Sequence, residues 1–381
     1  MSRDNRLTLN DWILNISTLL YVISLLGIAP YLPRYAVALG ASETEVSLLA
    51  TSYALTAIAL RFIVGYLNDK GYARTLMVTG SLLNALALTL YSTSGSLALV
   101  YVGRLVQGVS VALFIPASLY SASVTGARAS RVIVWRATMW GLGSALGPAI
   151  LGFVLVRWSW QPLFLAATLA SIAAATMSSL YKQEAVAVSG GGFGFREVLT
   201  KPFILASVTL FTYVVGYQSL SYFLPSLHEI EGLPSSETAA FFTIMAFSNL
   251  ASRLAISLKQ NFNPPLGALA GLAASIVGYT IVAIEPNGQI ALIAAVLAGL
   301  GLGLLFPSLQ VISLLGVPEY RRGLAASIYT AMFDLAALVG PPIVITISGG
   351  YRESLVTSAI VIALTAAPVI LINRVTRGGK S

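Results

Sequence analysis

Few residues in this chain can do chemistry. Cysteine is absent and His228 is the lone histidine, which excludes disulfides, thiol catalysis and Cys- or His-rich metal sites. Two charges stand inside long apolar runs. Arg104 opens the stretch Arg104-Leu105-Val106-Gln107-Gly108, and Asp334 precedes Leu335-Ala336. An embedded arginine is costly and should face a cavity or a partner, unless it snorkels to a nearby surface. Gln107, Val111, Phe114 and Ser118 share its helical face at spacings of three or four. An acid as deep as Asp334 should be neutral, paired or titrating, because burial raises a carboxyl pKa. It either exchanges a proton in a working cycle or is a fixed acid hydrogen-bonded across helices.

A third group is a short polar turn, Gly65-Tyr66-Leu67-Asn68-Asp69-Lys70-Gly71-Tyr72-Ala73-Arg74. Gly65 removes a side chain, so another helix can approach closely. Asp69 can accept hydrogen bonds from a helix N-terminus or pair with Arg128 or Arg131. Gly71 permits a sharp reversal. The plainer alternative is an ordinary tight turn with solvated charges.

The elements that position these groups are set by composition. Of 381 residues, 9% are charged and 57% hydrophobic, with mean hydropathy +0.84. An ordinary soluble domain is about 25% charged, so a soluble globule is excluded, and intrinsic disorder with it. Twelve runs are long enough to span a bilayer: 11–36, 44–67, 75–92, 96–123, 132–156, 160–181, 201–226, 237–258, 264–284, 289–316, 321–348 and 353–373. The polar stretch before the first run lacks a small-residue cleavage site, so the first span is expected to be retained.

With both termini in the cytoplasm, 18 of the 22 basic residues fall on or near the inner side. Arg34, Arg157 and Arg352 fall outside, and Arg104 lies within a span. The positive-inside rule supports this orientation, and a miscounted helix would destroy the pattern.

The longest polar connection, 183–200, contains Ser189-Gly190-Gly191-Gly192 and divides the chain into an N-terminal six-helix bundle (1–182) and a C-terminal one (201–381). Three segments recur across it. Residues 61–74 align with 253–266, 107–118 with 298–309, and 147–152 with 340–345, at offsets of 191 to 193. Six-plus-six related halves predict an all-α transporter with a site between the halves.

At this point the sequence resembles the major facilitator superfamily along essentially its whole length, most closely a branch of proton antiporters for drugs and metabolites. The turn at 65–74 resembles the family's G-x-L-x-D-[RK]-x-G-[RK]-[RK] signature, with its second glycine one position early. Residues 104–108 resemble the R-x-x-Q-G motif. Gly143, Gly147, Pro148 and Gly152 resemble the G-P-x-x-G-G stretch of antiporters, with Leu151 in place of one glycine.

The resemblance implies that Gly65, Asp69, Lys70, Gly71 and Arg74 latch the outward-open state against the eleventh helix. In the second half Asn261 takes the place of Asp69, so the latch is expected on one side only. It implies proton coupling or anion attraction for Arg104. It places a substrate cavity along helices one, four, seven and ten, where Asn15, Tyr21, Gln107, Tyr213, Tyr217 and Gln310 supply polar groups. The first helix lacks the mid-span acid that many cation exporters of the family carry, which leans the substrate toward a neutral or anionic solute.

The expected function is secondary-active transport of a small organic solute across the cytoplasmic membrane. Proton-coupled antiport leads, and a symporter or facilitator importing a neutral or anionic metabolite is the alternative. A channel or non-transporting sensor on the same fold is more remote. A membrane enzyme lacks a convergent cluster, and no Walker sequence supplies an ATP-driven cycle. Protons and the lipid bilayer are the expected partners, with no cofactor, metal or nucleic acid, and the chain is expected to act as a monomer.

Overall fold

The computed structural model describes residues 6–41, 43–93, 95–184, 195–233, 235–259 and 262–378. Among them the chain is helical throughout. The helices are α1 (Leu9–Leu26), α2 (Leu32–Ala38), α3 (Glu43–Asp69), α4 (Ala73–Thr93), α5 (Leu97–Ser123), α6 (Ala129–Arg157), α7 (Trp160–Leu180) and α8 (Phe195–Val198). The second half supplies α9 (Lys201–Ile230), α10 (Ser235–Leu258), α11 (Pro264–Ile284), α12 (Gly288–Ile312), α13 (Arg322–Ser348), α14 (Tyr351–Leu364) and α15 (Ala366–Gly378). Eleven stretches are long and apolar enough to cross a membrane, and α3, with 27 residues, is a twelfth long helix. Many of the exposed side chains along them are large and apolar, as at Phe153 (68%) and Leu169 (67%), which suits lipid.

Local sequence explains the ends. Thr8 and Asp11 form a reciprocal capping box that starts α1. Asn263 caps α11 ahead of Pro264 and Pro265, whose missing N–H groups cost nothing in a first turn. Two expected spans are broken. The run 11–36 is α1, a turn and the short α2, because Pro30 and Pro33 cannot donate to a continuing helix. The run 353–373 divides at Thr365, three residues before Pro368. The run 289–316 ends early, at Ile312, and Gly316 turns the chain with φ +75°.

The chain divides into two compact units. Unit 1 is Met1–Val198 with Pro318–Ala331; unit 2 is Leu199–Val317 with Met332–Ser381. The first turns of α13 thus belong with unit 1, which a division at the linker alone does not express. The glycine-rich part of that linker lies outside the described residues, as does Asn261.

The two units repeat one packing scheme. In unit 1, α4 packs on α5 and α7, α3 on α5, and α1 on α7. In unit 2, α11 packs on α12 and α14, α10 on α12, and α9 on α14. Small residues set matching close approaches. A Cβ on Gly80 would lie 3.0 Å from the Ser110 carbonyl, and one on Gly271 2.8 Å from the Gly301 carbonyl.

The seam between α1 and α6 is the tightest use of the motif glycines. A Cβ on Gly143 would meet Val22 at 2.9 Å, and one on Gly147 would meet the Cα of Gly27 at 2.9 Å. One turn on, the Tyr31 hydroxyl donates to the Pro148 carbonyl at 2.7 Å, with its ring against Gly152. Backbones this close gain dispersion contacts that larger side chains would prevent.

Candidate functional site

The turn after α3 is built as a helix stop. Gly71 takes φ +86°, its N–H donates to the Asn68 carbonyl at 2.9 Å, and Tyr72 N–H reaches Leu67 at 3.1 Å. This is the left-handed glycine cap that satisfies the last carbonyls of a helix. It leaves Asp69 at the C-terminal end of α3, with 3% of its surface exposed.

Asp69 Oδ1 accepts from the N–H of Gly323 at 2.8 Å and of Leu324 at 3.3 Å. These are the second and third residues of α13, whose first-turn N–H groups have no partner inside their own helix. A carboxylate from one helix therefore caps another and meets the positive end of its dipole. The approach depends on glycine on both sides: a Cβ on Gly65 would lie 2.9 Å from Leu324 Cα, and one on Gly323 2.8 Å from the Asp69 nitrogen.

Burial pushes the Asp69 carboxyl up to about 7 from its ordinary 3.8. The two backbone N–H groups and the Arg321 charge pull the other way without restoring the ordinary value. Of the two kinds of partner expected for Asp69, its carboxylate takes the helix N-terminus. Arg128 instead bridges Asp11 at 3.0 Å and Glu184 at 2.9 Å. Lys70 lies over the Tyr66 ring at 5.5 Å. Arg74 fastens the start of α4 to the end of α7: its N–H donates to Gln183 Oε1 at 3.0 Å and its guanidinium to the Ser179 carbonyl.

The second group is a buried polar relay in unit 1. Asn84 on α4 donates through Nδ2 to Ser24 on α1 at 2.9 Å and to Ser171 on α7 at 3.1 Å. With both amide hydrogens used, its Oδ1 accepts from Gln107 Nε2 at 3.0 Å. That sets the polarity of Gln107, whose Oε1 faces Arg104 Nη1 at 2.9 Å and the Tyr91 hydroxyl at 3.3 Å. Gly103 leaves room for the Tyr91 ring, which a Cβ at that position would overlap. Arg104 also lies 5.2 Å from the Tyr53 ring centre.

Arg104 is half-buried, and no carboxylate is within ion-pair distance of it among the described residues. Its Nε is buried and lacks a hydrogen-bond partner. A guanidinium oriented by a neutral amide keeps its full charge for another group. The remaining residues of its helical face, Val111, Phe114 and Ser118, are buried among the helices of unit 1.

Other expected cavity residues are placed differently. Tyr21 is fully buried, stacked on Phe114 at 3.8 Å between ring centres and hydrogen-bonded to Ser110 at 2.7 Å. Its sequence equivalent Tyr213 is fully buried too, bonded to Ser275 at 2.9 Å and packed edge-on against Phe306. Both hydroxyls are committed inside their own units. Asn15 is fully buried, and its amide has no hydrogen-bond partner among the described residues. Tyr217, Gln310 and Asp334 are half-buried in unit 2.

Three further arginines are buried in helices. Arg61, Arg136 and Arg253 lie within long helices and are at most 5% exposed. Arg136 donates to Ser118 Oγ at 2.9 Å and to the Ile115 carbonyl at 3.1 Å, and Arg253 to Asn249 at 2.7 Å. Their place near the ends of apolar runs made them read as inner-loop charges. Asn84 gave no sequence signal beyond being an amide inside a span. Among the described residues no group of three metal-binding side chains exists.

Among the described residues, eleven candidate spans and a twelfth long helix in two repeated units define a multi-pass membrane protein. The chain matches the family profile of the Major Facilitator Superfamily over residues 14–341 and again over 260–380, and it belongs to that family. It is 27% identical over 334 residues to the multidrug efflux protein YfmO of Bacillus subtilis, covering 84% of this chain and 82% of the relative. It is 26% identical over 311 residues to the class G tetracycline resistance protein of Vibrio anguillarum, covering 77% and 78%. Its fold is similar to that of the human organic anion transporter MFSD10, with TM-score 0.77 over 98% of this chain and 100% of that one at 15% identity. The chain is thus a secondary transporter of small molecules in a membrane, and not an enzyme.

Proposed function

We propose that this protein is a proton-coupled antiporter that exports a small organic solute across the cytoplasmic membrane, as a monomer with both termini inside. The observation that carries the proton link is the Asp69 cap on α13, a buried carboxyl that joins two helices and titrates near neutral pH. Gly65, Asp69, Lys70, Gly71 and Arg74 then act as the latch. Its formation favours one of the two access states, and its opening permits the other. The linker 183–200 joins the two six-helix halves that carry the alternation.

Outward transport is supported by the efflux relatives and by the glycine seam of Gly143, Gly147, Pro148 and Gly152, which closes α1 against α6. Import of a neutral or anionic metabolite is the second reading. The observation that favours it is the uncompensated guanidinium of Arg104 on its amide relay. Arg104 and Asp334 are the coupling or cavity charges in both readings, and Asn15, Gln107, Tyr217 and Gln310 the polar groups nearest to substrate.

Purified protein in liposomes with an imposed proton gradient tests this. Solute uptake driven by protons leaving the lumen supports antiport. Uptake driven by protons entering overturns it in favour of symport, and downhill flux indifferent to the gradient removes the proton link.

A further inference from the structure

We propose that unit 2 holds a second binding site, for a small amphipathic organic cation, in a cavity of about 390 Å³ at the end where α9 gives way to α10. The volume falls in the range of small-molecule pockets. The cavity is lined by side chains of α9, α10 and α12, mostly apolar, including Ala240, Phe241 and Leu292. Its lining residues include one carboxylate, Glu237, and no lysine or arginine.

The walls are fastened by side chains rather than by packing alone. His228 on α9 is 3% exposed, with Nε2 3.1 Å from the Pro286 carbonyl and Nδ1 2.7 Å from the Thr238 hydroxyl. A carbonyl can only accept, so Nε2 carries a proton, while Nδ1 shares a hydrogen bond with the Thr238 hydroxyl. Both ring nitrogens are thus engaged, and none is left for a ligand. Next to it, Asn287 donates to Glu231 at 2.8 Å, and Gly288 takes φ +65° to start α12. Three neighbouring residues of the α11–α12 connection are thus tied to α9 or α10, since Gly288 N–H also reaches Glu237 Oε2 at 3.4 Å.

That last contact is long, and among the described residues it is the only hydrogen bond to the Glu237 carboxylate. A carboxylate has about four lone-pair positions, so most of its accepting capacity is left unused by the protein. Apolar walls beside a single under-used carboxylate select a cation that also carries hydrocarbon. An anion would meet the Glu237 charge with nothing to offset it. This ligand differs in charge from the solute that Arg104 would favour. The site therefore stands apart from the transport reading and does not depend on it.

The test uses the full-length protein in nanodiscs, titrated calorimetrically with benzyltrimethylammonium, and with benzoate as an anion of similar size. Saturable binding of the cation and none of benzoate is expected. Glu237→Gln should bind about tenfold more weakly, the loss of one charge-assisted contact, and Leu292→Trp should fill the cavity and abolish binding. Thermal unfolding checks that both variants fold. Glu237→Gln is isosteric, so it carries the test alone if the tryptophan variant does not fold. Absence of saturable cation binding overturns the proposal. So does equal binding by wild type and Glu237→Gln, which would seat the cation elsewhere, or equal binding of benzoate.

Discussion

Asp69 caps a helix that begins more than 250 residues later in the chain: its Oδ1 accepts the Gly323 N–H at 2.8 Å. Asp69→Ala leaves two buried N–H groups unpaired and is expected to cost about 1–3 kcal/mol for each group fully desolvated. Asp69→Asn keeps an acceptor and should express normally while slowing transport. Initial rates in liposomes check this, and a wild-type rate in Asp69→Asn would remove the latch role.

The same carboxyl gives a pH dependence with a definite sign. Its pKa in the capped state, about 7, lies above its ordinary 3.8. The capped state therefore binds more protons than the released state between those values. The stability that protonation lends the contact is fully present below about pH 4 and is lost as pH rises through about 7. The unfolding midpoint of wild type should fall relative to Asp69→Asn as pH is raised from 5 to 8. Parallel curves would show that Asp69 does not titrate in this window.

Gly323→Ala places a methyl where the Asp69 backbone already stands 2.8 Å away. Overpacking of this kind costs about 1–3 kcal/mol. Thermal stability should drop, and transport should fall more than in Gly95→Ala, where the added carbon meets open space. Equal effects of the two would show that the contact with α3 is not what matters.

Gln107→Glu gives Arg104 a carboxylate at 2.9 Å in place of an amide oxygen. The new pair neutralises the guanidinium in a partly buried place, so transport that needs its charge should be lost, and the lost bond to Asn84 Oδ1 should lower stability by about 1–3 kcal/mol. Asn84→Leu acts differently: it strands the Gln107 Nε2 donor, while Ser24 and Ser171 keep their own bonds to the Tyr21 and Ser81 carbonyls, and it should destabilise by about 1–3 kcal/mol. Circular dichroism and flux together separate the two outcomes.

Tyr21→Phe removes one buried hydrogen bond, to Ser110, and keeps the stacking on Phe114. A loss of about 0.5–1.5 kcal/mol is expected, with KM for the solute unchanged. A raised KM would put Tyr21 in the binding site after all.

Much of this protein was legible in one dimension. Long apolar runs are a bilayer requirement, and the spacing of polar turns between them follows from helix rise, so the twelve spans could be counted. The relation between the halves was legible too, because equal packing tasks call for small residues at equal offsets. That Gln107 shares a helical face with Arg104 followed from their separation of three residues.

What the sequence determined by itself was therefore local or periodic: spans, halves, helix stops and the residues of one helical face. What only the tertiary structure decided is where polar groups find partners on other helices. Asn84 joins Ser24, Gln107 and Ser171 from three different helices. Tyr21 turns its hydroxyl to Ser110, 89 residues away, and Arg61, Arg136 and Arg253 sink into the helical core. Asp69 chooses a helix end over Arg128. The physical reason is that a desolvated polar group must be satisfied by whatever packing brings within about 3 Å, and no spacing along the chain encodes which distant helix that is.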